Sequence, residues 1–235
     1  MQFFDTLLRL VFVPRCAGCG ERLPLDAPPL CLHCRMLYEN EKAVTCGVCA
    51  EALGNCFCVP TEMQHHGVRR MVKLFHYQKD GEAVTSRMIY THKHKNLKDL
   101  QVFFARELTP RLLAAALPKG KTVVTYPPRS RAALARDGFD HAGALARRVA
   151  QELDACFLHA LVRVQSREQK KLSRTARLRA AELSYRLRDG VDLCGKTVIL
   201  CDDVCTTGAT LLAAARILRK AGAKEVILAT LAIVP

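Results

Sequence analysis

The segment Thr197-Val198-Ile199-Leu200-Cys201-Asp202-Asp203-Val204-Cys205-Thr206-Thr207-Gly208-Ala209-Thr210 limits the fold of this chain more than any other stretch. A short continuous apolar run, here Thr197 to Cys201, is the pattern of a buried strand of the kind found in helix-covered parallel sheets. It ends in two adjacent carboxylates and passes into a small, hydroxyl-rich turn that opens a helix. Without a bulky side chain at its centre, the turn lets the backbone N–H groups of Thr206, Thr207, Gly208, Ala209 and Thr210 converge on a phosphate at the positive end of that helix. The hydroxyls of Thr206, Thr207 and Thr210 add donors. Asp202 and Asp203 emerge where the strand ends, the position at which open α/β sheets bind ligands, and carboxylates there suit ribose hydroxyls or a hydrated Mg²⁺. The expected ligand is therefore a phosphosugar. Capping a helix needs one such residue, not this ordered set.

The second constraint lies at the other end of the chain. Cys16-Ala17-Gly18-Cys19, Cys31-Leu32-His33-Cys34, Cys46-Gly47-Val48-Cys49 and Cys56-Phe57-Cys58 place eight of twelve cysteines in the first quarter of the sequence. A Cys-x-x-Cys knuckle brings two thiolates to one ion at tetrahedral angles, and two knuckles complete a closed four-cysteine site. Neighbours in sequence give Cys16, Cys19, Cys31 and Cys34 around one Zn²⁺ and Cys46, Cys49, Cys56 and Cys58 around another. The spacing also allows an interleaved pairing. A disulfide framework is the competing use of so many cysteines, and it belongs to short secreted chains. Residues 1–13 read as an amphipathic helix, with Phe3, Phe4, Leu7, Leu8 and Val11 on one side, too short to span a bilayer. No transmembrane segment is expected, and the compartment that suits such thiols is the cytoplasm.

At 235 residues, half of them hydrophobic, the chain can bury one α/β core and a small satellite. The expected division is a double zinc ribbon with its leading helix over residues 1–62 and an α/β domain over 63–235. The ribbon has few large apolar residues and is expected to need metal to fold. The formal charge is +14, and two loaded four-cysteine sites would lower it to about +10. A field of that sign favours an anionic partner, nucleic acid or a polyphosphate substrate.

Between these landmarks strands and helices alternate. Strands are expected at Val68 to Tyr77, Thr122 to Tyr126, Leu158 to Val164, Thr197 to Cys201 and Val226 to Val234. Helices are expected at Gly81 to Lys93, Lys98 to Ala116, Ala142 to Ala155 and Thr210 to Ala221, the second with Leu97, Leu100, Phe104, Leu108 and Leu112 on its apolar face. Alternation of this kind predicts a doubly wound, mostly parallel sheet closed by its last strand. Residues 165–181 break the pattern, with Arg167, Lys170, Lys171, Arg174, Arg177 and Arg179 and no apolar stripe. They read as a basic loop that closes over a pyrophosphate or clamps a nucleic-acid backbone.

The acid-pair segment resembles the phosphoribosyl-pyrophosphate (PRPP) signature of type I phosphoribosyltransferases: four apolar residues, two acids, then Thr-Thr-Gly-x-Thr. Together with the cysteine pairs it makes the chain similar to the ComF family, competence-associated bacterial proteins with a zinc ribbon ahead of a phosphoribosyltransferase-like domain. The family's proline-flanked loop is matched by Tyr126-Pro127-Pro128-Arg129-Ser130-Arg131, its Arg-Gly-Phe-Asn-Gln stretch by Asp137-Gly138-Phe139-Asp140-His141, its basic loop by Arg163, Gln169, Leu172-Ser173 and Arg177, and a lysine before the core by Lys93. The resemblance implies Mg²⁺-dependent PRPP binding. It assigns the 5-phosphate to Thr206 through Thr210, ribose and metal to Asp202 and Asp203, and pyrophosphate to Arg129, Arg131, Lys170 and Lys171. Asp202, Asp203, Lys170 and Lys171 are the candidate catalytic set. The implied role is DNA uptake with single-stranded DNA binding and contact with uptake machinery, or else transfer of phosphoribose to an acceptor. Asp137, Asp140 and His141 depart from the family pattern, which leaves fewer of its polar groups on the acceptor side.

Overall fold

The computed structural model describes residues 13–64, 68–78, 81–164 and 183–234. The expected leading helix, apart from Val13, and the basic segment 165–181 lie outside them. In chain order the elements are α1 (Leu32–Lys42), a 3₁₀ turn (Leu53–Asn55), α2 (Thr61–Gln64), β1 (Arg70–His76), α3 (Val84–His94), α4 (Lys98–Ala114), β2 (Thr122–Thr125), α5 (Arg131–Asp137), α6 (His141–Glu152), β3 (Cys156–Phe157), β4 (Leu161–Arg163), β5 (Tyr185–Leu187), β6 (Thr197–Cys205), α7 (Ala209–Lys220) and β7 (Glu225–Ile233). Five of the strands form a parallel sheet in the order β1-β7-β6-β2-β3.

Alternate side chains of a strand face opposite sides of its sheet, and two apolar layers follow from that. Ile199, Cys201, Ile227, Ala229 and Leu231 pack with α3, α4 and α6; Val198, Leu200, Val226 and Leu228 pack with α7. Four of the five residues expected on the apolar face of α4, Leu100, Phe104, Leu108 and Leu112, are fully buried. Each contributes roughly 1.5–3 kcal/mol by leaving water. Leu97 stands outside the helix as its N-cap and is partly exposed. α7 ends at Gly222, whose φ of +89° allows Gly222 N–H to reach Arg219 O and Ala223 N–H to reach Leu218 O.

Three expectations change. β7 lies between β1 and β6 rather than at the edge, because both neighbours are parallel to it and their crossover helices lie on opposite faces. β6 runs on through the acids to Cys205, held by β7, with Asp202 opposite Thr230 and Cys205 opposite Ile233. The strand expected over 158–164 is divided. Cys156–Phe157 takes the sheet edge, a tight turn from Ala160 N–H to Leu158 O redirects the chain, and Leu161–Arg163 pairs antiparallel with Tyr185–Leu187.

The cysteine-rich segment contains a repeat thirty residues apart. Arg15 bridges Arg22 and Thr45 bridges Ala52; Cys16 N–H meets Glu21 O and Cys46 N–H meets Glu51 O, both at 2.8 Å. Each knuckle needs a left-handed residue just after its second cysteine, Gly20 at φ +79° in one and Ala50 at φ +60° in the other. This segment shares the core. Leu23, Leu30 and Tyr38 are buried in the same apolar cluster as α3 and α4. Glu41 accepts the N–H groups of Val84 (2.9 Å) and Thr85 (2.8 Å), capping α3, whose own N-cap Ala83 has no side chain to do so.

Candidate functional site

The eight ribbon cysteines gather into two clusters, Cys16, Cys19, Cys31, Cys34 and Cys46, Cys49, Cys56, Cys58, with all sulfurs of a cluster within 4.8 Å of one another. The sequential pairing is therefore the one adopted. Cys19 Sγ and Cys31 Sγ are 3.8 Å apart, the edge of a tetrahedron with metal–sulfur bonds of about 2.3 Å. Backbone N–H groups of Cys31 and Cys34 point at sulfurs of the first cluster, and Cys58 N–H points at Cys56 Sγ (3.2 Å) in the second. N–H groups of Cys49 and Val48 pull the Cys46 thiol down to about 6, which favours the thiolate that a metal needs. Each cluster fits one metal ion.

The turn after β6 opens the other site. β2 stops at Thr125, opposite Leu200, so among the described residues no strand pairs with residues 201–205 of β6 on that side. With α6 on one face and α7 on the other, this is the crevice in which open parallel sheets bind ligands. A recess of about 50 Å³ lies there, lined by Asp202 and by residues 204–211. Thr206 and Thr207 are exposed, while Gly208 is buried at φ +70° as the N-cap of α7. A Cβ on Gly208 would lie 1.8 Å from the Met63 methyl, the end of a flexible side chain, so it is the positive φ that calls for glycine here. A larger cavity of about 390 Å³ lies between the 3₁₀ turn and α4, away from this chemistry, and is lined by Gly54, Phe57, Arg106 and Arg111 among others.

The two acids have different surroundings. Asp202 lines the recess, and burial together with the neighbouring Asp203 charge holds its carboxyl well above the usual range. Asp203 is turned toward Lys93 Nζ (3.3 Å) and His141 Nε2 (3.2 Å). Burial opposes its charge, yet His141, Lys93 and His92 together hold it well below the usual range. The other nitrogen of His141 meets Arg129 (3.2 Å), and Arg129 is paired with Asp137 (2.5 Å). Asp140 ties this network to the scaffold, accepting from Arg129 N–H (3.0 Å) and from Gly143 N–H (3.2 Å) at the start of α6. Gly143 itself lies against the Tyr126 ring, where a Cβ would sit 2.7 Å from the ring carbon.

Residues 132–235 match the phosphoribosyl transferase domain family. Over 226 residues the chain is 27% identical to competence protein ComFC of Streptococcus pneumoniae, covering 90% of this chain and 96% of that one. The chain is thus similar to ComFC along nearly its whole length. A 35-residue stretch of this chain, 15% of its length, is also 57% identical to adenine phosphoribosyltransferase of Mycobacterium avium, covering 19% of that enzyme. Among solved structures, the purine phosphoribosyltransferase of Pyrococcus horikoshii aligns with a TM-score of 0.36 and 22% identity over 57% of this chain and 73% of that one.

The fold brings together Asp202, Asp203 and Thr206 through Thr210, and joins Arg129 to them through His141. Arg131 is the exposed first residue of α5, outside that network. Lys170 and Lys171 lie outside the described residues, but the ends of their segment are adjacent, with Val164 N–H donating to Ser184 O at 2.8 Å. Reading the sequence missed His92 and Tyr185. The Tyr185 hydroxyl accepts from Arg163 (2.9 Å); burial raises its pKa, Arg163 opposes that, and the charge of Asp202 adds to it. Tyr185 lies in a three-residue strand with no periodicity to mark it, and His92 reads in sequence as one of several basic residues ending a helix. Among the described residues, no helix is long and apolar enough to cross a membrane.

Proposed function

We propose that this chain is a ComF-like protein that binds PRPP with Mg²⁺ at the 206–210 turn and acts in the cytoplasm in DNA uptake, where its basic surface engages single-stranded DNA. The observation that carries the PRPP reading is the recess at the N-terminus of α7, walled by hydroxyls, backbone N–H groups and one half-buried carboxylate. In this reading Thr206, Thr207, Gly208, Ala209 and Thr210 cradle the 5-phosphate. Asp202 meets the ribose and the cation, since a carboxylate disfavoured by burial and by a like charge is stabilised by a positive ligand. Asp203, engaged by Lys93 and His141, orders the crevice behind it. The metal held by each cysteine cluster is zinc, which four thiolates at tetrahedral spacing suit. The basic charge and the likeness to a competence protein support the DNA role. Turnover on an acceptor is the second reading, favoured by the local likeness to adenine phosphoribosyltransferase.

PRPP with Mg²⁺ at 100 times its Kd should stabilise the folded protein by about 2.7 kcal/mol, a rise in Tm of roughly 5–10 °C. The double variant Asp202→Asn, Asp203→Asn should fold and lose that shift. A full shift in the double variant overturns the assignment of the acids. Pyrophosphate release from PRPP in the presence of a panel of acceptors separates binding from turnover.

A further inference from the structure

Lys73 is a lysine in the interior. It lies in the middle of β1, flanked by Met71, Val72, Leu74 and Phe75, and is 3% exposed. Its ammonium donates to Cys58 O (2.8 Å), Cys56 O (3.3 Å) and Cys56 Sγ (3.3 Å). A buried cation needs a compensating anion, and none of the described carboxylates pairs with it. A four-thiolate cluster around a divalent ion carries a net charge of −2, so the second cysteine cluster supplies that anion when metal is bound. The first cluster has no such partner among the described residues: backbone N–H groups donate to its sulfurs, and its Cys19 lies near Glu21.

The same cluster reaches the phosphate turn. From Cys58 the chain passes through Val59 and Pro60 into α2, where Met63, 2% exposed, sets its methyl against Gly208. Val59 and Met63 share an apolar cluster with Cys205, Leu211 and Leu212, which flank or line the turn. A second route crosses the sheet, where Lys73 lies opposite Thr230 on β7 and Thr230 opposite Asp202 on β6. The hydroxyl of Thr230 is buried without a hydrogen-bond partner. The thiol of Cys205 feels both ends of that row: after burial, Asp202 raises its pKa and Lys73 lowers it.

We infer that the second cysteine site is a metal-dependent strap on the phosphate turn: its metal, with Lys73 as the outer cation, seats Met63 against Gly208 and sets the affinity of residues 206–210 for a phosphate. Lys73 is a positioning residue that acts through Cys56 and the metal, and Met63 is the contact that carries the effect. Linkage makes the coupling reciprocal: phosphate bound in the turn holds the metal of the second site more tightly. The coupling rests on the PRPP reading above, whereas the role of Lys73 at the metal does not.

The test uses the full-length, metal-loaded protein. Metal release to a chromogenic chelator is followed with and without PRPP and Mg²⁺, and Cys49→Ser identifies the phase that belongs to the second site. PRPP should slow that phase about fivefold or more and leave the first site's phase unchanged. Lys73→Met should speed second-site release about 10- to 100-fold, as loss of an outer-shell partner does, with Lys73→Arg restoring part of it. Met63→Ala should leave release without PRPP unchanged and abolish its response to PRPP. Equal release with and without PRPP, in protein shown by calorimetry to bind PRPP, overturns the strap. Absence of PRPP binding overturns the phosphosugar reading and the coupling with it. In that case unchanged second-site release in Lys73→Met also rejects the outer-cation role, and faster release upholds it.

Discussion

His92 is 1% exposed, and neither of its ring nitrogens has a hydrogen-bond partner among the described residues. Burial is the main cause that lowers its pKa to about 4. Asp203 works the other way, and His141 and Lys93 reinforce the fall. The unfolded chain takes up this proton near pH 6.5, while the folded protein takes it up only near 4. The unfolded state therefore binds more protons in that window, and the stability His92 confers is intact above pH 6.5 and lost as pH falls toward 4, by about 3 kcal/mol in all. Asp202 has the opposite sign: its raised pKa favours the folded state at low pH and costs stability as pH rises. Comparing His92→Phe with the parent cancels that contribution. The Phe variant, placed beside Phe104 (ring centroids 5.7 Å apart in the parent), should have a flatter stability–pH curve between pH 4 and 6.5 in urea titrations. Parallel curves for the two proteins exclude His92 as the group responsible.

The antiparallel pair β4–β5 holds the described residues on either side of the basic segment. Its anchors are joined by the Val164–Ser184 hydrogen bond, and Tyr185 on one anchor is near enough to Asp202 to feel its charge. The sequence between these anchors carries six cations, which suits an anionic polymer as well as a pyrophosphate as partner. Replacing Lys170, Lys171 and Arg174 by Ala should lower affinity for single-stranded DNA. It should also make the slope of log K against log salt shallower by up to about two, at roughly 0.7 per lost phosphate contact. An unchanged slope with a large fall in pyrophosphate release would assign these residues to the leaving group instead.

At the scale of the whole molecule, the cysteine-rich segment and the sheet behave as one packed unit. Tyr38 sits edge-on to Phe75 and Phe103 and donates to Glu107, which also pairs with Lys42 at 2.6 Å. Lys73 enters the second cluster from the central sheet. Metal loss should therefore unfold more than the ribbons. Freshly purified protein should contain about two zinc ions per chain, and removing them should lower Tm in one broadened transition, because the ribbon core is continuous with that of α3 and α4. Two well-separated transitions, with the sheet melting at its original temperature, would show that the ribbons fold independently.

The local chemistry was legible in the chain by itself. Eight cysteines in close pairs can serve one ion each by fours, because short spacings bring sulfurs together whatever surrounds them. The order strand, acids, small turn, helix is likewise local, and so is the apolar face of α4, which repeats with the helical period. The extension of β6 through the acids was hidden because charged residues mimic a strand end, and only the pairing with β7 keeps Asp202 and Cys205 in the sheet. The unequal fates of Asp202 and Asp203 come from Lys93 on α3 and His141 on α6, more than sixty residues away in sequence. Lys73 looks in sequence like a solvated charge in a strand, and it is the arrival of Cys56 and Cys58 over β1 that makes its burial tolerable. Spacing along the chain determined which groups could bind, while tertiary packing decided which of them are charged, buried and joined, because charge and solvation depend on neighbours that only the fold brings near.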